Sequence, residues 1–170
     1  AYVRVSCSDD EKRAAERLCE VAKEAGVEAH IEAFPVECGK VHSAKLVVTE
    51  PYTKEYEITG YERSASTPEG GLDAEFYYAE NASPVHLANC KGKIVMIDGY
   101  LGYWMYQDVL ENGAVGFITY DGNINYADRD IDQRELRSYV SKGNLLPGVN
   151  INAKDAVKLV KQGTKTVKIL

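Results

Sequence analysis

The spacing of apolar residues predicts an amphipathic helix near the start of the chain. Ser8 followed by Glu11 is a capping box, in which each side chain accepts a hydrogen bond from the other residue's backbone N–H. Apolar residues then recur at steps of three and four, and Gly26 stands where a left-handed residue ends a helix. The pattern therefore predicts a helix over residues 9–25. Its apolar positions are Ala14, Ala15, Leu18, Cys19, Val21, Ala22 and Ala25.

After this helix the apolar period changes to two. Alternation from Val27 to Val36 predicts a half-buried strand. A second alternating run from Val41 to Thr49 predicts the hairpin partner of that strand, and Pro51 ends it. Shorter β-prone pieces follow at about 52–61 and 73–79.

The third stretch of the chain predicts a strand–helix–strand unit. Residues 94–97 form an uninterrupted apolar run typical of a buried strand, and residues 103–112 have helical spacing with Gly113 placed to end the helix. Residues 114–120 form a second apolar run. Two strands joined through a helix pair in parallel with a right-handed crossover, so this unit predicts a parallel pair.

The end of the chain predicts one more strand, helix and strand. Residues 147–151 form a short strand, Asn152 caps a helix over 153–162, and residues 164–170 alternate as a strand. The predicted fold class is α+β, an N-terminal helix and β-hairpin followed by an open β-barrel or sandwich with flanking helices.

Length, charge and hydropathy exclude several classes of partner. The chain has 170 residues, close to one domain, and 20 Lys and Arg against 26 Asp and Glu give a net charge of −6. It has no basic run and no apolar stretch long enough to span a bilayer. We therefore expect no nucleic-acid partner and no membrane span. The chain begins without Met and ends directly on a predicted strand, so we expect it to be part of a longer protein.

Four cysteines are present, without the paired spacing of a zinc site. Cys7, Cys19, Cys38 and Cys90 form no C-x-x-C motif, and four cysteines could pair in three ways. Cys19 lies on the apolar stripe of the predicted helix, which favours a free thiol and a reducing, cytoplasmic compartment. Cys7 directly precedes a helix N-terminus, where thiols are often reactive, so a thiol-dependent enzyme centred on Cys7 is one alternative.

The residues expected of other hydrolytic sites are missing from the sequence. The three histidines, His30, His42 and His86, are far apart, and none is accompanied by a G-x-S-x-G nucleophile motif. No H-x-D or H-E-x-x-H motif and no Glu-Glu pair near a histidine is present. We therefore predict no catalytic residue, no metal ligand and no cofactor site in this chain.

Aromatic residues near the predicted crossover helix suggest a contact surface. Twelve of the sixteen aromatic residues are Tyr, and Tyr100, Tyr103, Trp104 and Tyr106 cluster at the start of that helix. Amphipathic aromatic side chains suit the recognition of a peptide or protein, while packing in the core is the alternative role. The cluster is the candidate contact surface.

Several motifs in order resemble the protease-associated domain. The segments Lys91-Gly-Lys-Ile-Val-Met-Ile-Asp-Gly99, Glu111-Asn-Gly-Ala-Val-Gly-Phe-Ile-Thr-Tyr-Asp121 and Leu146-Pro-Gly-Val-Asn-Ile151 match that family's G-K-I-V strand, G-A-x-G helix end and P-x-V-x-I strand. Upstream, Ser6-Cys-Ser8 and the segment from Ala25 to Val36 are similar to the opening of zinc aminopeptidases of the aminopeptidase Y and glutamate carboxypeptidase family. One departure is Cys7, where that family usually has Gly.

The resemblance implies a domain division and a function. Residues 1–50 would belong to a peptidase-like domain, and residues 51–170 would form a protease-associated domain that covers the active-site cleft and shapes substrate access. The di-zinc ligands of the family lie downstream and have no counterpart here, so we expect no activity from this chain. Its partners would be its own catalytic peptidase domain and a peptide or protein substrate. A stand-alone peptide- or protein-binding module is the other alternative.

Overall fold

A computed structural model describes residues 7–36, 41–120 and 145–170. The chain divides into two compact units, Ala1–Gly39 and Lys40–Leu170, and we describe each by itself. No helix within the described residues combines the length and apolar character that crossing a membrane requires.

The first unit contains the predicted N-terminal helix, α1, which runs over Asp9–Glu24. Its capping box is present: the N–H of Glu11 donates to Ser8 Oγ at 3.2 Å, and the Glu11 carboxylate accepts from the N–H of Cys7 at 2.6 Å. The reciprocal bond thus reaches one residue further back than the sequence motif implies. The prediction of this helix is confirmed to within one residue.

The predicted strand over 27–36 is wrong. These residues have no regular secondary structure, and all but Ala29 are exposed. A strand is stabilised by hydrogen bonds to a neighbour as well as by burial of one face. The run that was expected to pair with it contributes β1 (Leu46–Glu50), which pairs with two other strands. Without a neighbouring strand among the described residues, the alternation of 27–36 forms no ladder.

The described part of the second unit is built on an eight-stranded mixed sheet with three helices. In the sheet the strands follow the order β2-β1-β8-β4-β5-β6-β7-β3. The remaining strands are β2 (Lys54–Tyr56), β3 (Ile58–Gly60), β4 (Leu72–Tyr78), β5 (Ile94–Asp98), β6 (Gly116–Tyr120), β7 (Gly148–Ile151) and β8 (Thr166–Ile169), and the helices are α2 (Pro84–Leu87), α3 (Tyr103–Glu111) and α4 (Ala153–Lys161).

The centre of the sheet is parallel, as the sequence predicts. Strands β4, β5, β6 and β7 run in parallel, and β5, α3 and β6 form the predicted crossover. The outer strands are antiparallel, and β1 pairs with β8 in a register that sets Leu46 opposite Ile169. Strand β1 belongs to the second compact unit, since the division between the two units falls before it. The architecture is the expected α+β class with an open sheet.

Both faces of the sheet are buried under helices. On β5, Ile94 and Met96 pack on the same side as α4, while Val95 and Ile97 pack on the side of α2 and α3. Such burial on two faces is why the strand is a continuous apolar run rather than an alternating one. The short helix α2 was not predicted, because four residues are too few to establish a helical period.

Polar caps and a buried amide connect the end of the chain to the sheet. The Asn152 side chain accepts from the N–H of Asp155 at 2.8 Å and caps α4 as predicted. Asn150 is fully buried in β7, and its amide donates to the carbonyl of Thr119 at 3.1 Å and to Thr119 Oγ1 at 2.8 Å. These bonds satisfy a polar group that would otherwise be costly to bury.

Gly148 of β7 lies so close to an aromatic ring that we expect it to be the glycine of the sheet least tolerant of substitution. A Cβ atom on Gly148 would overlap the ring of Phe117, and that ring is held edge-on by Tyr61 at 5.0 Å and Tyr106 at 6.1 Å between centroids. Because the ring cannot move aside, we expect Gly148→Ala to lower the free energy of unfolding by about 3 kcal/mol. Urea unfolding followed by far-UV circular dichroism measures the change.

Gly163 provides the matched control for that substitution. It ends α4 with φ of +62° and has open space where a Cβ would lie, so Gly163→Ala introduces backbone strain alone, about 1 kcal/mol. Equal losses in the two variants would contradict the overlap at Phe117.

Candidate contact surface

The aromatic cluster spans the loop that follows the central strand β5 and the start of α3. The strand ends at Asp98, and Gly99, with φ of +87°, turns the chain while its N–H donates to the carbonyl of Tyr120 at 2.6 Å. Gly102 then caps α3. The loop is therefore anchored to the end of β6, and it sets the first residues of α3 at the carboxyl edge of the parallel strands, where open sheets commonly bind ligands.

Two of the four predicted residues form an exposed aromatic pair. The Trp104 side chain is 79% exposed and that of Tyr103 is 37% exposed. Their rings meet edge-to-face with centroids 5.0 Å apart, a favourable geometry for aromatic pairs. Tyr100, in the preceding loop, is half-buried. The pair gives this edge an exposed aromatic surface that also carries an indole N–H and a phenol hydroxyl.

Tyr106 belongs to the core. Its side chain is fully buried, and its hydroxyl oxygen accepts from the N–H groups of Leu145 and Leu146, both at 3.1 Å. Residues two positions apart on a helix point to nearly opposite sides, so Trp104 and Tyr106 cannot share one surface. The alternative role in packing therefore holds for Tyr106, and the candidate contact surface reduces to Tyr100, Tyr103 and Trp104.

A second pair of tyrosines at the same edge of the sheet was missed by the sequence analysis. Tyr78 ends β4 and Tyr120 ends β6, and their hydroxyl oxygens are 2.7 Å apart. Burial raises the pKa of Tyr120, and the hydrogen bond with Tyr78 and the carboxylate of Asp98 raise it further. Tyr120 is thus a neutral hydroxyl at physiological pH. The sequence signal that could have identified Tyr120 is its position at the end of a predicted buried strand.

The tyrosine pair borders an apolar cleft on the side of the sheet covered by α4. The cleft has a volume of about 190 Å³. Its floor includes Met96 of β5, and its wall is formed by α4. The other lining residues are Ala156, Val157, Val160 and Lys161.

One of the three histidines has side-chain partners close to it in sequence. His86 has Nδ1 2.8 Å from the Asn81 side-chain oxygen and Nε2 3.0 Å from a Glu80 carboxylate oxygen, while His30 and His42 are exposed. Among the residues that the structure describes, no three of His, Cys, Asp and Glu come together in a way that could hold a metal ion.

Three of the four cysteines lie in the described residues, and they differ in bonding state and burial. Cys7 is engaged in a disulfide, so its sulfur is not available as a thiolate, which corrects the alternative of a thiol enzyme centred on this residue. A disulfide at Cys7 is also at odds with the reducing compartment that the free thiol of Cys19 favoured. The thiol of Cys19 is free, as predicted, and its Sγ donates to the carbonyl of Ala29 at 3.3 Å. Burial raises the pKa of the free Cys90 thiol.

Comparisons with known proteins place the fold. No family model and no curated protein matches the chain. Among solved structures it is similar to a zinc aminopeptidase from Bacillus subtilis, with a TM-score of 0.69 and 20% identity over 98% of this chain and 38% of that one. It is also similar to a peptidase M28 precursor from Shewanella amazonensis, with a TM-score of 0.66 and 19% identity over 98% of this chain and 42% of that one.

A protease of another kind has a similar fold. A subtilisin-like protease from an Antarctic Pseudoalteromonas matches with a TM-score of 0.51 and 15% identity over 75% of this chain and 32% of that one. At these identities the similarity establishes the fold. The chain spans about two fifths of the length of the two peptidases named above. The zinc in the name of the first would need a cluster of ligands, and the described residues of this chain do not fit one.

Two aromatic substitutions with unequal expected losses of stability test the division between surface and core. We expect Tyr106→Phe to lower the free energy of unfolding by about 2 kcal/mol, because it leaves the buried N–H of Leu146 without its acceptor. We expect Trp104→Ala to change it by less than about 0.5 kcal/mol, because that side chain is largely exposed. Thermal unfolding by calorimetry measures both, and a larger loss in Trp104→Ala would place that residue in the core.

Proposed function

We propose that this chain is the non-catalytic N-terminal and protease-associated portion of a zinc aminopeptidase-like protein. In that protein it acts as a lid or substrate-access module beside a catalytic part that holds the di-zinc site. The observation that carries the proposal is the unequal coverage: 98% of this chain matches 38% of a zinc aminopeptidase. The fold of the chain thus corresponds to a part of such an enzyme.

The similar proteins use different catalytic mechanisms, which supports a non-catalytic role for the fold that they have in common with this chain. One is named a zinc aminopeptidase and another a subtilisin-like protease. The first kind of enzyme uses metal ions and the second a serine triad, so the two have no catalytic residues in common. A fold that occurs in both is better explained as a module that accompanies a protease than as the site of either reaction.

The first unit supports the proposal through its exposed apolar side chains. Helix α1 has sixteen residues and a strongly amphipathic sequence, yet none of its residues is buried. Leu18 is 70% exposed, and Phe34 in the following segment is 74% exposed. Large apolar side chains exposed in this number are more typical of an interface than of a free surface. The other exposed apolar side chains of the unit are Val21, Val27, Ile31 and Val36.

We infer that the catalytic peptidase domain covers this surface. The similar peptidases extend well beyond the part that this chain matches, so a partner of sufficient size is available within the same kind of protein. Segment 27–36 has alternating side chains and no regular secondary structure, so a strand of a further sheet could pair with it. Residues 1–39 would then complete the catalytic domain, while the second unit carries the access function.

The Tyr103–Trp104 surface is the part of the second unit that we expect to contact a peptide or protein substrate. Its aromatic rings offer a large contact area at low cost in conformational entropy. The same exposed pair favours the second candidate, a stand-alone module that binds peptides or proteins. The two candidates differ in the first unit, since a stand-alone module requires no cover for its apolar face.

The chain alone should show no peptidase activity. Incubated with zinc and aminoacyl chromogenic substrates, it is expected to release no chromophore above the rate in buffer, because the described residues assemble no ligand set for a hydrolytic metal. Reproducible turnover that a chelator abolishes would contradict the proposal. A zinc aminopeptidase assayed in parallel controls for the substrates.

An alanine substitution in α1 tests whether the catalytic domain covers the first unit. We expect Leu18→Ala to change the unfolding free energy of the isolated chain by less than about 0.5 kcal/mol, because the side chain is exposed there. In the longer protein it should cost about 2 kcal/mol, because the same side chain is then buried. Calorimetry on both proteins gives the comparison.

The control for that comparison is Val85→Ala. Val85 is 80% exposed on α2, in the second unit, and we expect its substitution to be neutral in both proteins. If Leu18→Ala is also neutral in the longer protein, the catalytic domain does not cover α1.

A further inference from the structure

A cavity beside β3 and β7 lies apart from the aromatic surface and from the tyrosine pair. It has a volume of about 220 Å³ and belongs entirely to the second unit. Its walls come from four segments: residues 41–44, residues 60–67 except Glu62, Pro147 with the beginning of β7, and the last two residues of the chain. A cavity of about 150 Å³ holds a benzene ring, so this one has room for one amino-acid side chain with a small polar group.

The polar side chains that line this cavity are suited to an anion. Arg63 lines it, and no residue forms a hydrogen bond or ion pair with the Arg63 side chain in the part of the chain that the structure describes. Hydroxyl groups of Ser43, Ser66 and Thr67 and the imidazole of His42 also line it. None of the described lining residues has an acidic side chain, although the chain has 26 acidic residues. The cavity is thus locally cationic in an acidic protein.

Arg63 is held in a backbone conformation that an arginine adopts at a cost. Its φ is +60°, in the left-handed region that favours glycine. Strained residues of this kind concentrate where a side chain is needed for binding. A glycine would adopt this conformation without strain. We therefore attribute the presence of an arginine here to its guanidinium group.

The backbone around Arg63 is fixed before any ligand arrives. The N–H of Tyr61 donates to the carbonyl of Gly148 at 3.2 Å, and that of Ala65 donates to the carbonyl of Leu146 at 3.0 Å. The hydroxyl of Ser64 donates to the carbonyl of Tyr61 at 2.7 Å. These bonds hold the turn on either side of Arg63 against the start of β7. Binding of a ligand would therefore cost little backbone conformational entropy.

We propose that this cavity binds a carboxylate group of a peptide, with Arg63 as its principal partner. A guanidinium pairs with a carboxylate through two parallel hydrogen bonds, and the surrounding hydroxyl groups can donate to its remaining lone pairs. Val41, Val149 and Leu170 supply apolar walls for the side chain next to it. That the carboxylate belongs to a peptide rests on the proposed function; that the site takes a carboxylate rests on its lining.

Binding of small peptides to the isolated chain tests the site without any catalytic part. The probes are N-acetyl-alanyl-leucine, its C-terminal amide, N-acetyl-alanyl-glutamate amide and inorganic phosphate, each titrated into isotopically labelled chain and followed by NMR. We expect the leucine free acid to bind at least tenfold more tightly than its amide. Comparable binding of the glutamate peptide would identify a side-chain carboxylate as an equally good source.

Arg63→Gly separates loss of the guanidinium from loss of the fold. It relieves the left-handed strain, so the melting temperature should stay the same or rise, while affinity for the carboxylate probes falls roughly tenfold or more. Arg17→Ala in α1 removes the same charge far from the cavity in sequence and in the other unit, and affinity should not change.

Three results would overturn the proposal: equal binding of the acid and the amide, binding of phosphate without binding of either carboxylate, or full affinity in Arg63→Gly. Each of them would leave the proposed lid function standing, because that function is tested by turnover and by the cover of α1.

Discussion

The rest of the second unit depends on burial of β5 from both sides. Four successive side chains of this strand, Ile94 to Ile97, are at most 1% exposed. Burying each contributes roughly 2 kcal/mol, so together they are comparable with the whole stability of a typical domain. Such a strand needs a neighbour on each edge and a helix on each face. The parallel strands β4 and β6 and the helices α3 and α4 meet those needs.

This constraint also sets where chemistry-bearing side chains lie. Parallel strands end at one edge, so the residues at and after their ends are brought together there. Tyr78 and Tyr120 are in hydrogen-bond contact at this edge, and Trp104 lies there at the start of α3. The carboxylate-binding cavity lies elsewhere, beside the antiparallel strand β3. A module with an aromatic edge and a separate cationic cavity could contact a peptide at two points, which suits substrate access better than catalysis.

The sequence predicts correctly those elements whose burial shows in their own residues. It mispredicts those whose structure depends on a partner segment far away in the chain. The crossover over 94–120 was predicted correctly because uninterrupted apolar runs and glycine stops require no knowledge of other segments. Residues 27–36 have an equally clear alternation, but their pairing depends on a strand that the described chain does not provide. Tyr106 was grouped with Trp104 by proximity, although helix rotation separates them. Arg63 carried no motif, since its strain and its lack of a partner are visible only in three dimensions.

The two units differ in how completely they bury their apolar residues. The second unit encloses two apolar clusters, while α1 and the segment after it enclose none of their own. On the proposed account, the first unit is a piece of another domain whose remainder follows in the same protein. Whether such a remainder exists can be read from the gene that encodes this protein.

The measurement that tests it most directly is the sequence of the reading frame beyond Leu170. The account predicts that the frame continues into a peptidase segment bearing His-x-Asp and a Glu-Glu pair, the residues expected to hold two zinc ions. A stop codon directly after Leu170 would contradict it and would leave a free-standing binding module in its place.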